Sequence, residues 1–365
     1  MNTYGYLQQF SNLDFTEIFS STTDADILKI IAKKELNYHD FLQLLSPKAE
    51  DFLEEMAQKA KLNSLKYFGK AILLYSPLYI ADFCENQCQY CGYSVMNKFQ
   101  RHKLNFEQIE TEARAIHQTG IRHIVLLTGD SRQTTPISYI KKAVQILKNY
   151  FDSITIEIYA LTKIEYAELI AAGVDGLTIY QEVYDEKIYD GVHLRGPKKD
   201  YKFRMEAPFR GAEAGMHSLN IGALLGLNDW RKELFLTGQH LRFLFRKFPA
   251  VEYKISFPRL RPYHGSKVKT IEISDKNLVQ GILAMRLYFP QIGINISTRE
   301  SEHFRDNVMP LGVTQISAGV KTSVGGYSLK ENEENQFEIA DNRTVAEMKK
   351  AISNAGFQPI FKNWF

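Results

Sequence analysis

The chain reads Tyr79-Ile-Ala-Asp-Phe-Cys84-Glu-Asn-Gln-Cys88-Gln-Tyr90-Cys91-Gly92-Tyr93 directly after an apolar run. This stretch holds all three cysteines of the chain. Thiolate is the soft ligand that iron–sulfur clusters require, so three thiolates on one loop can bind three irons of a [4Fe-4S] cubane. Because the sequence has no fourth cysteine, the fourth iron lacks a cysteine ligand and is available to another molecule. An open coordination position is typical of a catalytic metal centre and not of a structural one.

A zinc site, a disulfide or a simple electron-transfer cluster would fit the three cysteines less well. A zinc site needs a fourth ligand, for which His102 is the nearest candidate along the chain. A disulfide with one spare thiol agrees neither with the odd number of cysteines nor with the absence of a secretion signal. A cluster that only transfers electrons is normally bound by four cysteines.

Composition places the chain among ordinary globular proteins. It has 365 residues, 44% of them hydrophobic and 24% charged, and its formal net charge is +3. This balance of charge gives no reason to expect a nucleic acid or a membrane as partner. No apolar stretch has the length of a transmembrane helix. Reduced cysteines without a secretion signal predict a cytoplasmic protein.

The pattern of apolar residues predicts an α/β fold. Residues 1–68 are predicted to form an N-terminal helical extension, and from residue 70 onward strands alternate with amphipathic helices. The eight predicted strands cover residues 71–83, 123–128, 153–161, 176–181, 218–225, 252–257, 293–298 and 313–317. Eight such repeats predict a closed (βα)8 TIM-type barrel, with an open doubly wound sheet as the alternative. One of the connecting helices is predicted over residues 200–216.

The expected division of the chain is 1–68 for the extension, 69–325 for the barrel and 326–365 for a C-terminal tail and helix packed on it. Within the tail, the charged run at 330–335 is expected to be exposed. The aromatic terminus at 359–365 is expected to pack on the barrel and is a candidate cover for one mouth; the alternative is a tail that only folds on a hydrophobic patch.

The C-x3-C-x2-C spacing resembles that of the radical S-adenosylmethionine (SAM) superfamily. The resemblance implies that SAM binds the open iron through its amino and carboxylate groups. It also implies that an electron from the cluster then cleaves SAM to a 5'-deoxyadenosyl radical. In such a chain the cofactor carries the chemistry, and the protein provides position and exclusion of water.

Polar residues at the predicted strand ends are candidates for holding SAM, since barrel active sites lie at the carboxyl ends of the strands. Thr128, Gly129 and Asp130 resemble the motif with which the superfamily holds the SAM amino group, and Tyr90 matches a position that contacts adenine. Glu157 lies among β-branched residues, where a carboxylate is costly unless it is paired or faces a cavity. The remaining candidates are Glu182, Arg195, which can pair with SAM or with Glu182, and Gly222, which tight packing would also explain.

The seventh and eighth predicted strands suggest a carboxylate site. The seventh ends Ser297-Thr298-Arg299-Glu300, and the eighth ends at Ser317. A guanidinium offers a bidentate fork to a carboxylate. Arg299 and Ser317, on adjacent strands, can hold one substrate carboxylate from two sides. The alternative is that Arg299 pairs with Glu300 or Glu302 as a structural ion pair.

Several longer stretches are together similar to the 2-iminoacetate synthase (tyrosine lyase) family of thiazole and thiamine biosynthesis. They include Leu177-Thr-Ile-Tyr-Gln-Glu-Val-Tyr184, His193-Leu-Arg-Gly-Pro-Lys-Lys-Asp-Tyr201, Gly222-Ala-Leu-Leu-Gly-Leu-Asn-Asp-Trp-Arg231, Ile255-Ser-Phe-Pro-Arg-Leu-Arg-Pro262, Ser297-Thr-Arg-Glu-Ser301 and Ile316-Ser-Ala-Gly319. The resemblance implies Cα–Cβ cleavage of L-tyrosine to 2-iminoacetate and p-cresol, with SAM converted to 5'-deoxyadenosine and methionine. It also implies a thiazole synthase partner, reduced flavodoxin or ferredoxin as electron donor, Tyr79 near the substrate amine, and Arg299 with Ser317 at its carboxylate.

Related activities remain as alternatives. A tryptophan lyase of the same group differs in a pocket shape that the sequence does not reveal. The tyrosine lyase of hydrogenase maturation and a biotin-synthase type of enzyme need a second cluster, and this chain has no cysteine after Cys91. A non-catalytic iron–sulfur electron carrier would not need the polar strand ends.

Overall fold

The computed structural model describes residues 1–261, 268, 270–328 and 336–362. Its strands are β1 (Ala71–Ala81), β2 (His123–Thr128), β3 (Ser153–Glu157), β4 (Gly176–Thr178), β5 (Ser218–Gly222), β6 (Glu252–Ser256), β7 (Gly293–Ile296), β8 (Gln315–Ser317) and β9 (Gln358–Ile360). The first eight form a parallel sheet in chain order, and β1 pairs with both β2 and β8. The sheet is therefore closed, which confirms the (βα)8 barrel and excludes the open doubly wound alternative.

Helices precede the barrel and connect its strands. The helices before the barrel are α1 (Thr3–Leu7), α2 (Phe15–Ser21), α3 (Asp24–Ala32), α4 (Tyr38–Leu44) and α5 (Leu53–Phe68). Those after β1 are α6 (Phe106–Gln118), α7 (Ile137–Leu147), α8 (Lys163–Ala172), α9 (Glu186–Val192), α10 (Tyr201–Met205), α11 (Ala207–Glu213), α12 (Trp230–Lys247), α13 (Asp275–Tyr288), α14 (Glu302–Val308) and α15 (Val345–Asn354). Among the described residues, no helix is both long enough and apolar enough to cross a lipid bilayer.

The strands are short and apolar because both of their faces are covered, by the barrel interior and by the surrounding helices. Every residue of β2 and β5 is buried, and so is every residue of β1 after Ala71. The helices before the barrel pack on its outside. Gln280 of α13 donates to the carbonyls of Leu44 and Ser46 at 3.0 and 2.8 Å, and the ring of Phe41 stacks on that of Tyr288. The domain boundaries at residues 68 and 325 stay predictions.

The structure corrects the expectation of a single helix over residues 200–216. In place of one helix over residues 200–216, the chain forms α10 and α11 with a break at Glu206. Pro208 lies in the first turn of α11, where it has no N–H to continue the earlier helix. Residues 358–360 form β9 beside the start of β1, at the end of the barrel opposite the strands' carboxyl ends.

Candidate active site

One large cavity opens at the carboxyl ends of the barrel strands, where a barrel of this class carries its active site. Twelve of the residues that the sequence predicts for the site line this cavity, and they come from separate strand ends and loops. They are Tyr79, Cys84, Cys88, Tyr90, Cys91, Thr128, Gly129, Asp130, Glu157, Glu182, Arg299 and Ser317. The barrel therefore brings together residues that are distributed from its first strand to its eighth.

The cysteine loop begins at an irregularity in β1. Tyr79 pairs with Leu127 of β2, and the next paired residue of β1 is Ala81, so Ile80 is skipped as in a β-bulge. Such bulges re-aim the chain next to active sites. Just beyond, Gly129 donates to the carbonyl of Ala81 at 2.9 Å. A Cβ on Gly129 would lie 2.3 Å from the carbonyl oxygen of Phe83, so only glycine allows this close approach.

The loop is held on its other side by residues 192–198. Cys88 forms an antiparallel bridge with His193, and Gln87 donates to the carbonyl of Arg195 at 2.8 Å. The hydroxyl of Tyr90 lies 2.7 Å from Nε2 of His193. Arg195 therefore contributes its main chain, and its side chain is exposed and lies outside the cavity lining. The expected pairing of Arg195 with Glu182 is not present, because other cations take that place.

Arg101 supports the loop, although no motif in the sequence indicates it. Its guanidinium donates to the carbonyl oxygens of Asp82 at 2.5 Å, Tyr93 at 3.1 Å and Ser94 at 2.8 Å. A planar fork of five N–H groups suits such a set of main-chain acceptors. One side chain thus connects the start of the cysteine loop with its end.

The three cysteines fit a cluster better than a disulfide or a zinc ion. They form no disulfide. Burial raises the pKa of the Cys84 thiol to about 12, so a thiolate there needs a strong cation beside it. Within the described parts of the chain, no three Cys, His, Asp or Glu side chains are close enough to hold a single metal ion, and the zinc candidate His102 instead faces Asp82 at 3.8 Å. In a cubane each thiolate binds its own iron, which suits three sulfurs spread around one cavity.

The expected SAM residues form a polar wall next to the cysteine loop. Oγ1 of Thr128 is buried and has no hydrogen-bond partner among the described residues, so it is free for a ligand. Asp130 accepts from the side chain of Asn86 at 2.7 Å, which orients the carboxylate. Gly222 is not part of the cavity lining. A Cβ there would lie 2.5 Å from the carbonyl of Ser256, so packing between strands explains this glycine.

Glu182 has two cationic partners that the sequence does not reveal. Its carboxylate lies 2.6 Å from Nζ of Lys198 and 3.6 Å from the guanidinium of Arg204, and all three side chains are largely buried. The backbone of Glu182 has φ 70, a left-handed conformation that is unfavourable for a residue with a Cβ. Strain of this kind persists only where surrounding contacts fix the conformation. Here the ion pairs of Glu182 and its backbone pairing with Ala223 fix it.

Glu157 faces the cavity from the end of β3. Burial, together with the charge of Glu182, raises the pKa of Glu157 to about 7, although Arg299, Arg204 and Lys198 act in the opposite direction. A carboxylate with such a pKa is ready to accept a hydrogen bond from a ligand and is close to its protonation point at neutral pH.

Arg299 and Ser317 lie at adjacent strand ends, as the sequence predicts. Arg299 has no carboxylate at ion-pair distance among the residues that the structure describes. Glu300 is bound by Arg259, and Glu302 lies 3.6 Å from Arg343. The alternative of a structural ion pair with either glutamate is therefore not realised. Ser317 accepts a hydrogen bond from the amide of Thr298 at 3.1 Å, which ties it to the turn that carries Arg299.

Two consecutive tail residues also reach the cavity, and no sequence signal indicates them. The hydroxyl of Tyr79 donates to Oε1 of Gln336 at 2.9 Å, and the ring of Phe337 lies 3.5 Å from the guanidinium carbon of Arg299. Burial raises the pKa of Tyr79 well above its ordinary value, so its hydroxyl stays protonated and donates. The charged run at 330–335, expected to be exposed, lies outside the described residues.

Comparison with known proteins agrees with this geometry. The family model described as "Radical SAM superfamily" matches residues 78–237, and the one described as "Biotin and Thiamin Synthesis associated domain" matches residues 256–358. A 2-iminoacetate synthase of Salmonella typhimurium is 36% identical over 98% of this chain and 96% of its own, and the Escherichia coli enzyme of that name gives the same values. The chain belongs to the 2-iminoacetate synthase family. Its members are radical SAM enzymes, and their cofactors are a [4Fe-4S] cluster and SAM.

A solved structure supports the same relationship. The FeFe-hydrogenase maturase HydG of Carboxydothermus hydrogenoformans aligns over 100% of this chain and 86% of its own, with a TM-score of 0.92 and 30% identity. In this member of the 2-iminoacetate synthase family, Cys84, Cys88 and Cys91 are the residues whose chemistry and position fit the cluster.

Proposed function

We propose that the protein cleaves the Cα–Cβ bond of L-tyrosine to 2-iminoacetate and p-cresol, with SAM converted to 5'-deoxyadenosine and methionine, in thiazole and thiamine biosynthesis. The observation that carries the proposal is Arg299. It is a cation in the same cavity as the three cysteines, and its carboxylate neighbours along the chain are bound elsewhere. A partly buried guanidinium without a carboxylate at ion-pair distance is unfavourable, and a substrate carboxylate would supply that partner.

Each group of residues then has a role. Arg299 and Ser317 bind the amino acid carboxylate, and Tyr79 lies near the substrate amine. Thr128, Gly129, Asp130, Glu157, Glu182 and Tyr90 hold SAM against the cluster bound by the three cysteines. When bound, the cluster and SAM together supply a 5'-deoxyadenosyl radical that removes hydrogen from the substrate. The residues themselves hold the zwitterion still and exclude water.

The partners belong to the same proposal. The product imine hydrolyses readily in water, so direct transfer to a thiazole synthase would protect it. Reduced flavodoxin or ferredoxin would supply the electron. The names of the two curated relatives support the product, 2-iminoacetate. Three free cysteines agree with a reducing compartment, and we place the protein in the cytoplasm.

Anaerobic incubation of the reconstituted protein with SAM, dithionite and L-tyrosine tests the activity. We expect p-cresol and 5'-deoxyadenosine in equal amounts. A parallel incubation with L-tryptophan provides the comparison for ring identity, since a tryptophan lyase would consume that amino acid instead.

Two results would contradict the proposal. Formation of 5'-deoxyadenosine without p-cresol would keep the radical SAM chemistry and reject tyrosine as substrate. Reduction of the cluster with neither product would indicate an electron carrier.

A further inference from the structure

Residues 336–341, here called the C-terminal strap, run from the cavity to a buried anchor. At the anchor, Ala340 donates to the carbonyl of Thr298 at 2.8 Å. The carboxylate of Asp341 is buried between two guanidiniums, those of Arg305 and Arg343. Arg305 also donates to the carbonyl of Ser317. The strap is therefore tied to the same two strand ends that carry Arg299 and Ser317.

The strap covers one face of Arg299. The ring of Phe337 lies 3.5 Å from the guanidinium carbon, and both side chains line the cavity. A ring in this position makes a cation–π contact with one face of the guanidinium and restricts the plane in which the guanidinium can lie. The N–H groups of a guanidinium point outward in that plane, so stacking leaves them available for a carboxylate.

Gln336, the residue before Phe337, contacts Tyr79 on the other side of the proposed substrate site. Oε1 of Gln336 accepts the hydroxyl proton of Tyr79 at 2.9 Å. With its proton committed to Gln336, the oxygen of Tyr79 keeps its lone pairs for a donor such as an ammonium group. Two consecutive residues of the strap thus contact Tyr79 and Arg299, the side chains that the proposed function assigns to the amine and the carboxylate of the substrate.

We propose that Gln336 and Phe337 are positioning residues that complete the amino acid site. Phe337 orients Arg299 toward the substrate carboxylate, and Gln336 orients the Tyr79 hydroxyl toward the substrate amine. This inference rests on the proposed function, because it assumes that a free amino acid is the ligand. It adds that the specificity of the site for both charged ends comes in part from the tail and not from the barrel alone.

A double-mutant cycle on the SAM-loaded holoenzyme tests the role of Phe337, with binding of L-tyrosine measured at equilibrium without reductant. We expect Phe337→Ala to weaken tyrosine binding about tenfold, the range of a desolvated cation–π contact. Phe337→Tyr keeps the aromatic face and should bind nearly as the wild type does. In the Arg299→Ala background, Phe337→Ala should have little further effect, since residues that act through one another are not additive.

SAM binding to the same variants separates positioning from general damage, because the contacts of Gln336 and Phe337 described above involve none of the residues assigned to SAM. We expect SAM affinity to be unchanged by Phe337→Ala. Unchanged tyrosine binding in Phe337→Ala, full additivity with Arg299→Ala, or an equal loss of SAM binding would each overturn the inference. Wild-type protein that binds tyrosine but forms no p-cresol would overturn the proposed reaction alone, and wild-type protein that does not bind tyrosine would overturn both.

Discussion

The cluster side of the cavity is held by main-chain hydrogen bonds and by Arg101, whereas the wall that we propose to bind the amino acid is held by side chains from distant parts of the sequence. On the cluster side, the loop from Cys84 to Cys91 bonds to Asp130 and to residues 192–195 through backbone N–H and C=O groups. On the other side, Arg299, Ser317 and the C-terminal strap depend on stacking and on ion pairs. Apart from the cysteines and Arg101, the loop should therefore tolerate most side-chain changes, whereas the opposite wall depends on individual charged and aromatic side chains.

The largest effect is expected from the cysteines, because they are the proposed ligands of the cluster. Cys88→Ala should abolish the iron–sulfur absorbance and the activity, because the two remaining thiolates are too few to hold a cubane cluster. Iron analysis and visible spectra of anaerobically purified protein provide the measurement. Met96→Ala, an exposed change close to the same loop, should keep the full iron content. Full iron in Cys88→Ala would contradict the cluster assignment.

Substitution of Glu182 tests how much its ion pairs with Lys198 and Arg204 contribute to stability. Glu182→Ala should reduce the free energy of unfolding by about 3–5 kcal/mol, because Lys198 and Arg204 are then buried without their counter-charge. Denaturant unfolding of the ligand-free protein would measure it.

Glu182→Gly is the matched control, since glycine accepts the φ of 70 at this position. It should be more stable than Glu182→Ala by about 1 kcal/mol, the lower end of the range for such backbone strain. Equal stability of the two variants would show that the backbone there is not strained.

Substitution of Arg299 tests directly whether this wall binds the amino acid. Arg299→Ala should weaken L-tyrosine binding by about 2–5 kcal/mol if the guanidinium pairs with a desolvated carboxylate, and it should leave iron content unchanged. Arg299→Lys keeps the charge but loses the bidentate fork, so an intermediate affinity is expected. Unchanged tyrosine affinity in the alanine variant would return Arg299 to a structural role.

The last prediction concerns the pH dependence of stability. The folded protein raises the pKa of Glu157 from 4.5 to about 7, first because of burial and then because of Glu182. Between about pH 4.5 and pH 7, Glu157 is protonated in the folded state and ionised in the unfolded state. The free energy of unfolding therefore falls as pH rises through this interval. Glu157→Gln removes this titration. The stability of the variant relative to the wild type should rise across that interval, as measured by unfolding of ligand-free protein at several pH values; a constant difference would contradict the raised pKa.

Local patterns determined the barrel and the cluster loop. Eight short apolar runs between polar turns predicted all eight barrel strands within a few residues of their ends, because strands buried on both faces cannot be polar. β9 was missed, since Gln358-Pro359-Ile360 has neither the length nor the pattern of a strand and pairs only because β1 extends beyond its neighbours. The three cysteines were equally clear, because cluster ligation needs a fixed residue type at a fixed spacing.

The sequence by itself thus determined where the strands lie and which loop can carry a cluster. Only the tertiary structure decided how the buried charges pair: Arg195 points outward while Lys198 and Arg204 hold Glu182, and Arg259 occupies Glu300 so that Arg299 stays available. It alone brought Gln336 and Phe337 to the site. The physical reason is range, since strand and loop patterns follow from neighbouring residues, whereas the partner of a buried charge depends on whichever distant residue the fold places within about 4 Å of it.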